Sequence, residues 1–269
     1  MCERSPELKE ILIGLNAISA YGLCGVAGFL LGIGYLFFIT RVKSGDFDDF
    51  VYIYVWAALG AVVGAKVLYI LIGIPNIART AGSGEVALWP YLGSMVSGGF
   101  VFYGGLLGAV CAIKTASRYF SLDYVKTLSL MTPAMPLAHA LGRVGCALVG
   151  CCYGRETGLC IGISYADSLY APNGVRLFPV QVMEAIADLV LFGALVHVLL
   201  KRADDYEKAG VFEKYLVMYA CVRFLLEFLR GDLVRGHWGA LSTSQWISII
   251  ILLFVWIHNG LKKKRLERE

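Results

Sequence analysis

The sequence predicts an all-α integral membrane protein, a bundle of about seven transmembrane helices with its N-terminus outside and its C-terminus cytoplasmic. Three observations lead there. Apolar and aromatic residues fill 58% of the 269 positions and charged residues only 16%, against about 25% charged in soluble domains. Mean hydropathy is +0.68. The apolar runs recur near the ~20 residues that a helix needs to span a bilayer. The net charge of +4 is small and scattered, so no nucleic-acid surface is expected.

In order, the spans fall at roughly 14–39, 51–74, 94–117, 127–150, 179–200, 211–230 and 243–260. The first is expected to be retained, because Glu3, Glu7 and Glu10 make a poor signal n-region and no small-residue cleavage site follows. Basic residues then alternate between connections. Arg41 and Lys43 follow the first span. Lys114, Arg118 and Lys126 lie between the third and fourth, Lys201, Arg202 and Lys208 between the fifth and sixth, and Lys262, Lys263, Lys264, Arg265 and Arg268 in the tail. These are assigned to the cytoplasmic side. The opposite connections carry only Arg79, Arg155, Arg176 and Arg235, with Trp89, Tyr91 and Trp238 suited to an interfacial belt. The whole chain, 1–269, reads as one polytopic domain, with 154–178 as an exterior cap loop. Glycines four apart, Gly28 with Gly32, Gly60 with Gly64 and Gly104 with Gly108, suit close helix packing.

The informative residues are those that hydrocarbon rejects, at about 2.5–3.5 kcal/mol each on insertion scales. They are Lys66, His139, Arg143, Glu184, Asp188, Arg223, Glu227 and Arg230. Helical spacing puts His139, Arg143, Cys146 and Gly150 on one face, and Arg223, Glu227 and Arg230 on another. Gln181, Glu184 and Asp188 form a third stripe. Facing one another, the stripes would line a water-accessible pocket toward the outer leaflet. The plainer alternative is a buried ion-pair network that sets helix register. So many groups at one level, with arginine in excess, favour an anionic ligand, and arginine's planar fork suits phosphate. At that depth the phosphate is expected to belong to a phospholipid.

Several short blocks then resemble the prolipoprotein diacylglyceryl transferase family. Gly142-Arg143-Val144-Gly145, with Gly150 and Gly154, is similar to its Gly-Arg-x-Gly block, and Tyr21-Gly22 to its Tyr-Gly. Gly64-Ala65-Lys66 resembles Gly-Ala-Arg, and Tyr103-Gly104-Gly105-Leu106-Leu107-Gly108 resembles His-Gly-Gly-Leu-Ile-Gly. Pro179, Gln181 and Glu184 match Pro-x-Gln-x-x-Glu, and Arg223, Glu227 and Arg230 match Arg-x-x-x-Glu-x-x-Arg. The resemblance covers about residues 20–250. It implies transfer of diacylglycerol from phosphatidylglycerol to the cysteine thiol of a prolipoprotein lipobox peptide, in a bacterial cytoplasmic membrane, with membrane lipids around it and no cofactor or metal. Arg143 and Arg223 would hold the phosphate, Arg230 its rim, and Tyr21, Lys66, Gly104, Gly105, Gly142, Gly145, Gly154, Gln181, Glu184 and Glu227 would contact substrate.

The departures bear on mechanism. Cys146 and Cys151 stand where the family carries asparagine and glutamate, and Tyr103 stands where it carries histidine. A phenol is a poor base at neutral pH, so His139 is the candidate general base; the alternative is a histidine that only hydrogen-bonds within helix packing. For Cys146, Cys151, Cys152 and Cys160, metal binding is set aside, because the spacing is not that of a zinc ribbon and His139 lies about 18 Å from Cys151 along an unbroken helix. A disulfide from Cys151 or Cys152 to Cys160, or simple packing, remains open. Two other functions stay open beside the transferase: a related lipid transferase with another acceptor, and a non-catalytic lipid-binding or transport protein.

Overall fold

The structure is a computed structural model that describes residues 6–43, 45–83, 99, 101–201, 205–232 and 236–266, with the backbone alone at 6–19, 75–83, 207, 237 and 263–266. Glu3, Trp89, Tyr91, Arg202, Arg235 and Arg268, and the first residues of the span expected at 94–117, lie outside the described residues. The described helices are α1 (Pro6–Val42), α2 (Phe47–Ser83), α3 (Phe102–Tyr119), α4 (Tyr124–Met131), α5 (Ala134–Val149), α6 (Val180–Lys201), α7 (Tyr206–Ala209), α8 (Val211–Glu227) and α9 (Thr243–Leu266). Two short antiparallel pairs complete them, β1 (Ile163–Ser164) with β2 (Arg176–Leu177), and β3 (His237–Trp238) with β4 (Leu241–Ser242).

Helix ends follow local chemistry. Asp48 and Asp49 occupy the first turn of α2, where carboxylates oppose the positive end of the helix dipole. The Asp46 Oδ1 accepts from the Asp48 backbone N–H at 2.9 Å. α5 ends at Gly150, whose φ of 84° is left-handed and suits glycine. Ser168 Oγ stands where a Cβ would lie. The fourth expected span, 127–150, is two helices, because Pro133 and Pro136 cannot donate into a continuous ladder, and the Met135 N–H turns to the Thr132 carbonyl at 3.0 Å. α8 stops at Glu227, three residues short of the span expected to end at 230. There the chain leaves the helix to pair with the segment after α5: Arg155 N–H donates to the Leu229 carbonyl at 2.9 Å, and Gly231 N–H to that of Tyr153 at 3.1 Å.

Among the described residues, four stretches are long and apolar enough to cross a membrane: Ala20–Val42, Phe47–Ile74, Val180–Lys201 and Thr243–Lys262. Their outer faces expose large apolar residues, such as Leu23 at 71%, Val190 at 63% and Trp256 at 75%. Glu184, Asp188, Arg223 and Glu227 are buried instead. Polar inside and apolar outside is the arrangement lipid requires.

The chain divides into two compact units, residues 1–35 with 132–269, and residues 36–131. In the first, α5 packs on α6, α6 on α8, and α8 on α9. Gly28 of α1 approaches α5 there: a Cβ on it would lie 3.2 Å from the Ala138 carbonyl oxygen and from Leu141 Cβ. In the second unit α2 packs on α3 through glycines from both helices. A Cβ on Gly60 would sit 2.6 Å from the Gly108 carbonyl oxygen, and Cβ atoms on Gly64, Gly104 and Gly108 would collide with the carbonyls of Gly104, Gly64 and Gly60. Backbone meets backbone, so no side chain fits.

Gly64→Ala and Gly108→Ala are therefore each expected to lower stability by about 1–3 kcal/mol, the usual effect of overpacking, seen as a lower melting temperature in detergent. Gly34→Ala, where a Cβ meets nothing within 4 Å, should leave it unchanged. Equal melting of all three would show that the two helices do not depend on this contact.

Candidate active site

Ionisable groups from α5, α6 and α8 meet inside the first unit, around the Glu184 carboxylate. Arg143 Nη2 lies 3.0 Å from Glu184 Oε1 and Arg230 Nη1 3.7 Å from Oε2, and the charge of Arg223 also reaches this carboxylate. Glu184 is 1% exposed and Arg223 4%, so these charges act through a medium that screens them far less than water. α5 and α8 run toward their C-terminal ends here, and α6 and α9 begin, so the cluster sits at one end of the helix layer.

Each arginine has a second partner. Arg143 Nε donates to His139 Nε2 at 3.2 Å, and His139 Nδ1 lies 2.8 Å from Asp188 Oδ2. The imidazole is therefore held between a guanidinium and a carboxylate, with its Nε2 lone pair turned to Arg143. Its ring also meets Tyr219 edge-on at 5.5 Å between centroids. Arg223 Nη2 lies 2.7 Å from Glu227 Oε2 and donates to Ser244 Oγ at 3.2 Å. Arg230 forms a two-pronged pair with Asp232, Nε to Oδ1 at 2.9 Å and Nη2 to Oδ2 at 3.0 Å.

Asp232 corrects the expected arginine excess. Arg143, Arg223 and Arg230 face Glu184, Glu227 and Asp232, while Asp188 faces His139. Asp232 escaped the helical-face analysis because it lies beyond the end of α8, where spacing no longer maps to a face. What remains for an anion is specific: the buried Nη1 of Arg223 has no hydrogen-bond partner among the described residues. A buried guanidinium N–H left unmatched costs roughly 1–3 kcal/mol, which a bound anion would recover.

The other expected site residues separate by location. Tyr21 of α1 lies against Gly145, where a Cβ would stand 3.1 Å from its ring. Gly142 faces open space. Gly154 lies so close to the Phe178 and Leu229 carbonyls that a side chain is excluded, and it pairs with Arg230 across an antiparallel bridge. Gln181 is buried, its Nε2 donating to the Cys151 carbonyl at 2.8 Å, so it holds the chain after α5. Lys66, Tyr103, Gly104 and Gly105 belong to the second unit. There Gly104 and Gly105 face α2, which accounts for both by packing. Lys66 Nζ reaches the Gly99 carbonyl at 3.5 Å and lies 5.4 Å from the Tyr69 ring centre, and Tyr103 packs edge-on against Phe102.

The cysteines differ most from expectation. Cys151 and Cys152 turn toward Cys146, the three sulfurs lying within 4.8 Å of one another, and Cys160 is an exposed free thiol apart from them. Gly150 reverses the chain and Cys152 itself has φ 58°, so residues five and six apart converge, a pattern no helical spacing predicts. Tyr165 O–H donates to the Ala147 carbonyl at 2.8 Å and Ser168 Oγ–H to that of Val149 at 3.0 Å, fastening the 163–178 hairpin over this turn. Burial raises the Tyr165 phenol above its ordinary range. Hydrogen bonds from Cys146 and Cys151 lower Cys152 well below the usual thiol range, with Arg230 and Arg143 adding to the effect.

Comparison with known proteins agrees in extent with these blocks. Residues 10–258 match the family described as prolipoprotein diacylglyceryl transferase. The chain is 33% identical over 96% of its length to the phosphatidylglycerol–prolipoprotein diacylglyceryl transferase of Clostridium tetani, covering 100% of that protein. It is 35% identical over 84% of its length to the enzyme of that name numbered 2 in Clostridium perfringens, covering 86% of it. With the Finegoldia magna enzyme the identity is 28% over 87% of this chain and 86% of that one. A family match over nearly the whole chain, joined to arginines and a glutamate gathered from separate helices, means that this chain belongs to the prolipoprotein diacylglyceryl transferase family.

Proposed function

We propose that the chain transfers the diacylglyceryl group of phosphatidylglycerol to the lipobox cysteine of a prolipoprotein and releases glycerol phosphate. The observation that carries this reading is the set of three arginines around Glu184, with the buried Nη1 of Arg223 left unmatched. A phosphodiester leaving as a phosphate monoester gains negative charge, and fixed guanidinium donors stabilise that charge as it forms.

The reaction is a displacement at carbon. The acceptor sulfur attacks the glyceryl CH2 bonded to phosphate, a C–S bond forms, the C–O bond breaks, and its electron pair leaves on the phosphate oxygen. The thiol must lose its proton first. His139 is the proposed acceptor: with Asp188 at Nδ1, its proton-accepting atom is Nε2, which Arg143 Nε now occupies. An Arg143 that swings from His139 to the phosphate frees that lone pair. Donor binding and base activation are then one movement.

The same reading gives the membrane arrangement: seven crossings, the N-terminus outside, the C-terminus cytoplasmic, and the site toward the exterior leaflet of a bacterial cytoplasmic membrane. Its support is the sparseness of Lys and Arg in the connections that join α5 to α6 and α8 to α9, compared with those at the opposite ends. The shorter helices α3, α5 and α8, with 18, 16 and 17 residues, complete the seven alongside the four longer stretches.

Purified protein given phosphatidylglycerol and a lipobox peptide should yield a thioether-linked diacylglyceryl peptide, and binding without product would sink the reading. Arg143→Lys and Arg223→Lys should each lower turnover about 100-fold or more, since one ammonium cannot replace a fork of donors. His139→Ala should lower it about 100- to 10,000-fold; full turnover would remove the base assignment. For orientation, a membrane-impermeant maleimide should label the exposed Cys160 in intact cells, and a Lys262→Cys variant only after permeabilisation. The reverse pattern would invert the topology.

A further inference from the structure

The displacement chemistry leaves the three gathered cysteines unused. Cys146 ends α5, and Cys151 and Cys152 follow the Gly150 reversal, so one short segment brings three sulfurs within 4.8 Å of one another. Tetrahedral zinc, with bonds of about 2.3 Å to thiolate sulfur, sets neighbouring sulfurs about 3.8 Å apart, within a small rotamer adjustment of this geometry. A disulfide would join only two sulfurs, at about 2.05 Å, and leave the third without purpose. The local backbone also favours a retained ligand: Cys152 sits at φ 58°, a region that disfavours a residue with a Cβ by roughly 1–2 kcal/mol.

The surroundings match the charge such a centre would carry. Three thiolates and a divalent ion sum to one negative charge, and Arg230, which pairs with Gly154 across an antiparallel bridge, is brought to the segment that carries Cys151 and Cys152. Tyr21 packs against Gly145, the residue before Cys146. Cys146 is buried, and Cys151 and Cys152 are partly buried.

We propose that Cys146, Cys151 and Cys152 bind one thiophilic divalent ion of the zinc class and leave its fourth position for the acceptor thiol, a second half that rests on the transferase reading above. Three protein ligands with an open position are the mark of a working rather than a structural zinc site, and a thiol that enters it is deprotonated outright. The acceptor R–SH binds the ion as R–S⁻, and its proton passes to a base or to water. That sulfur then forms the C–S bond while the C–O bond to phosphate breaks, its electron pair leaving with glycerol phosphate. The product thioether carries no negative charge and is a weaker ligand, so it departs.

The test uses the full chain in detergent micelles. Incubation with zinc and removal of the excess should leave about one ion per chain by elemental analysis. Cobalt loading should give thiolate-to-metal charge-transfer bands. Cys146→Ser, Cys151→Ser and Cys152→Ser should each weaken binding about 10-fold or more, while Cys160→Ser binds normally, and an unchanged melting temperature in the serine variants separates lost ligand from lost fold. A lipobox peptide should shift the cobalt spectrum, and its Cys→Ser analogue should not. No metal retained, a native disulfide within the cluster, or a spectrum indifferent to the peptide thiol overturns the proposal. Equal transfer by metal-free and zinc-loaded protein overturns it too, and leaves the transferase reading intact. If neither form transfers, the transferase reading fails, while elemental analysis and spectra still decide whether the metal site exists.

Discussion

A single carboxylate organises the chemical end of this protein. Glu184 is almost wholly buried on α6 and lies between Arg143 of α5 and Arg230 of the turn beyond α8, with the charge of Arg223 also upon it. Removing one partner from such a buried set leaves an uncompensated charge, which is far more costly than the set is stabilising. The positions of α5, α6 and α8 are therefore coupled, and so are the donors that a phosphate would meet. Each guanidinium is already oriented by a carboxylate, which keeps the donors preorganised rather than solvated.

That coupling gives the mechanism its economy. Arg143 touches Glu184 with one nitrogen and His139 with another, so a phosphate that draws Arg143 away changes what His139 can accept. The plainer reading of the cluster, an ion-pair network that only sets helix register, accounts for the pairs but not for the unmatched Nη1 of Arg223. Register alone would favour complete pairing, because a buried donor without an acceptor is destabilising. Incomplete pairing at one end of a helix layer is what a site built for an anion requires.

The two units divide the work of glycine in different ways. In the second, Gly60, Gly64, Gly104 and Gly108 bring two helices into backbone contact, so the Tyr-Gly-Gly block is explained largely by packing. In the first, Gly150 and Gly154 shape the turn after α5: the former reverses the chain, and the latter lets the end of α8 pair with it. Arg230 is thereby set opposite Gly154, two residues beyond Cys152.

By itself the sequence determined the helical membrane class, the glycine contacts, and the residues that hydrocarbon would reject. It also showed that His139 and Arg143 share a helical face, as do Arg223 and Glu227. These follow from composition and a period of 3.6, which are local quantities. Only tertiary structure decided the rest. Pro133 split an expected span, α8 stopped at Glu227, and Arg230 reached Glu184 from outside a helix, paired with Asp232, which no spacing had marked. The cysteines likewise met one another rather than Cys160. The chain leaves the helix at Pro133, at the Gly150 turn and at Phe228, and beyond each point distance in space is set by which backbone it pairs with, not by distance along the sequence.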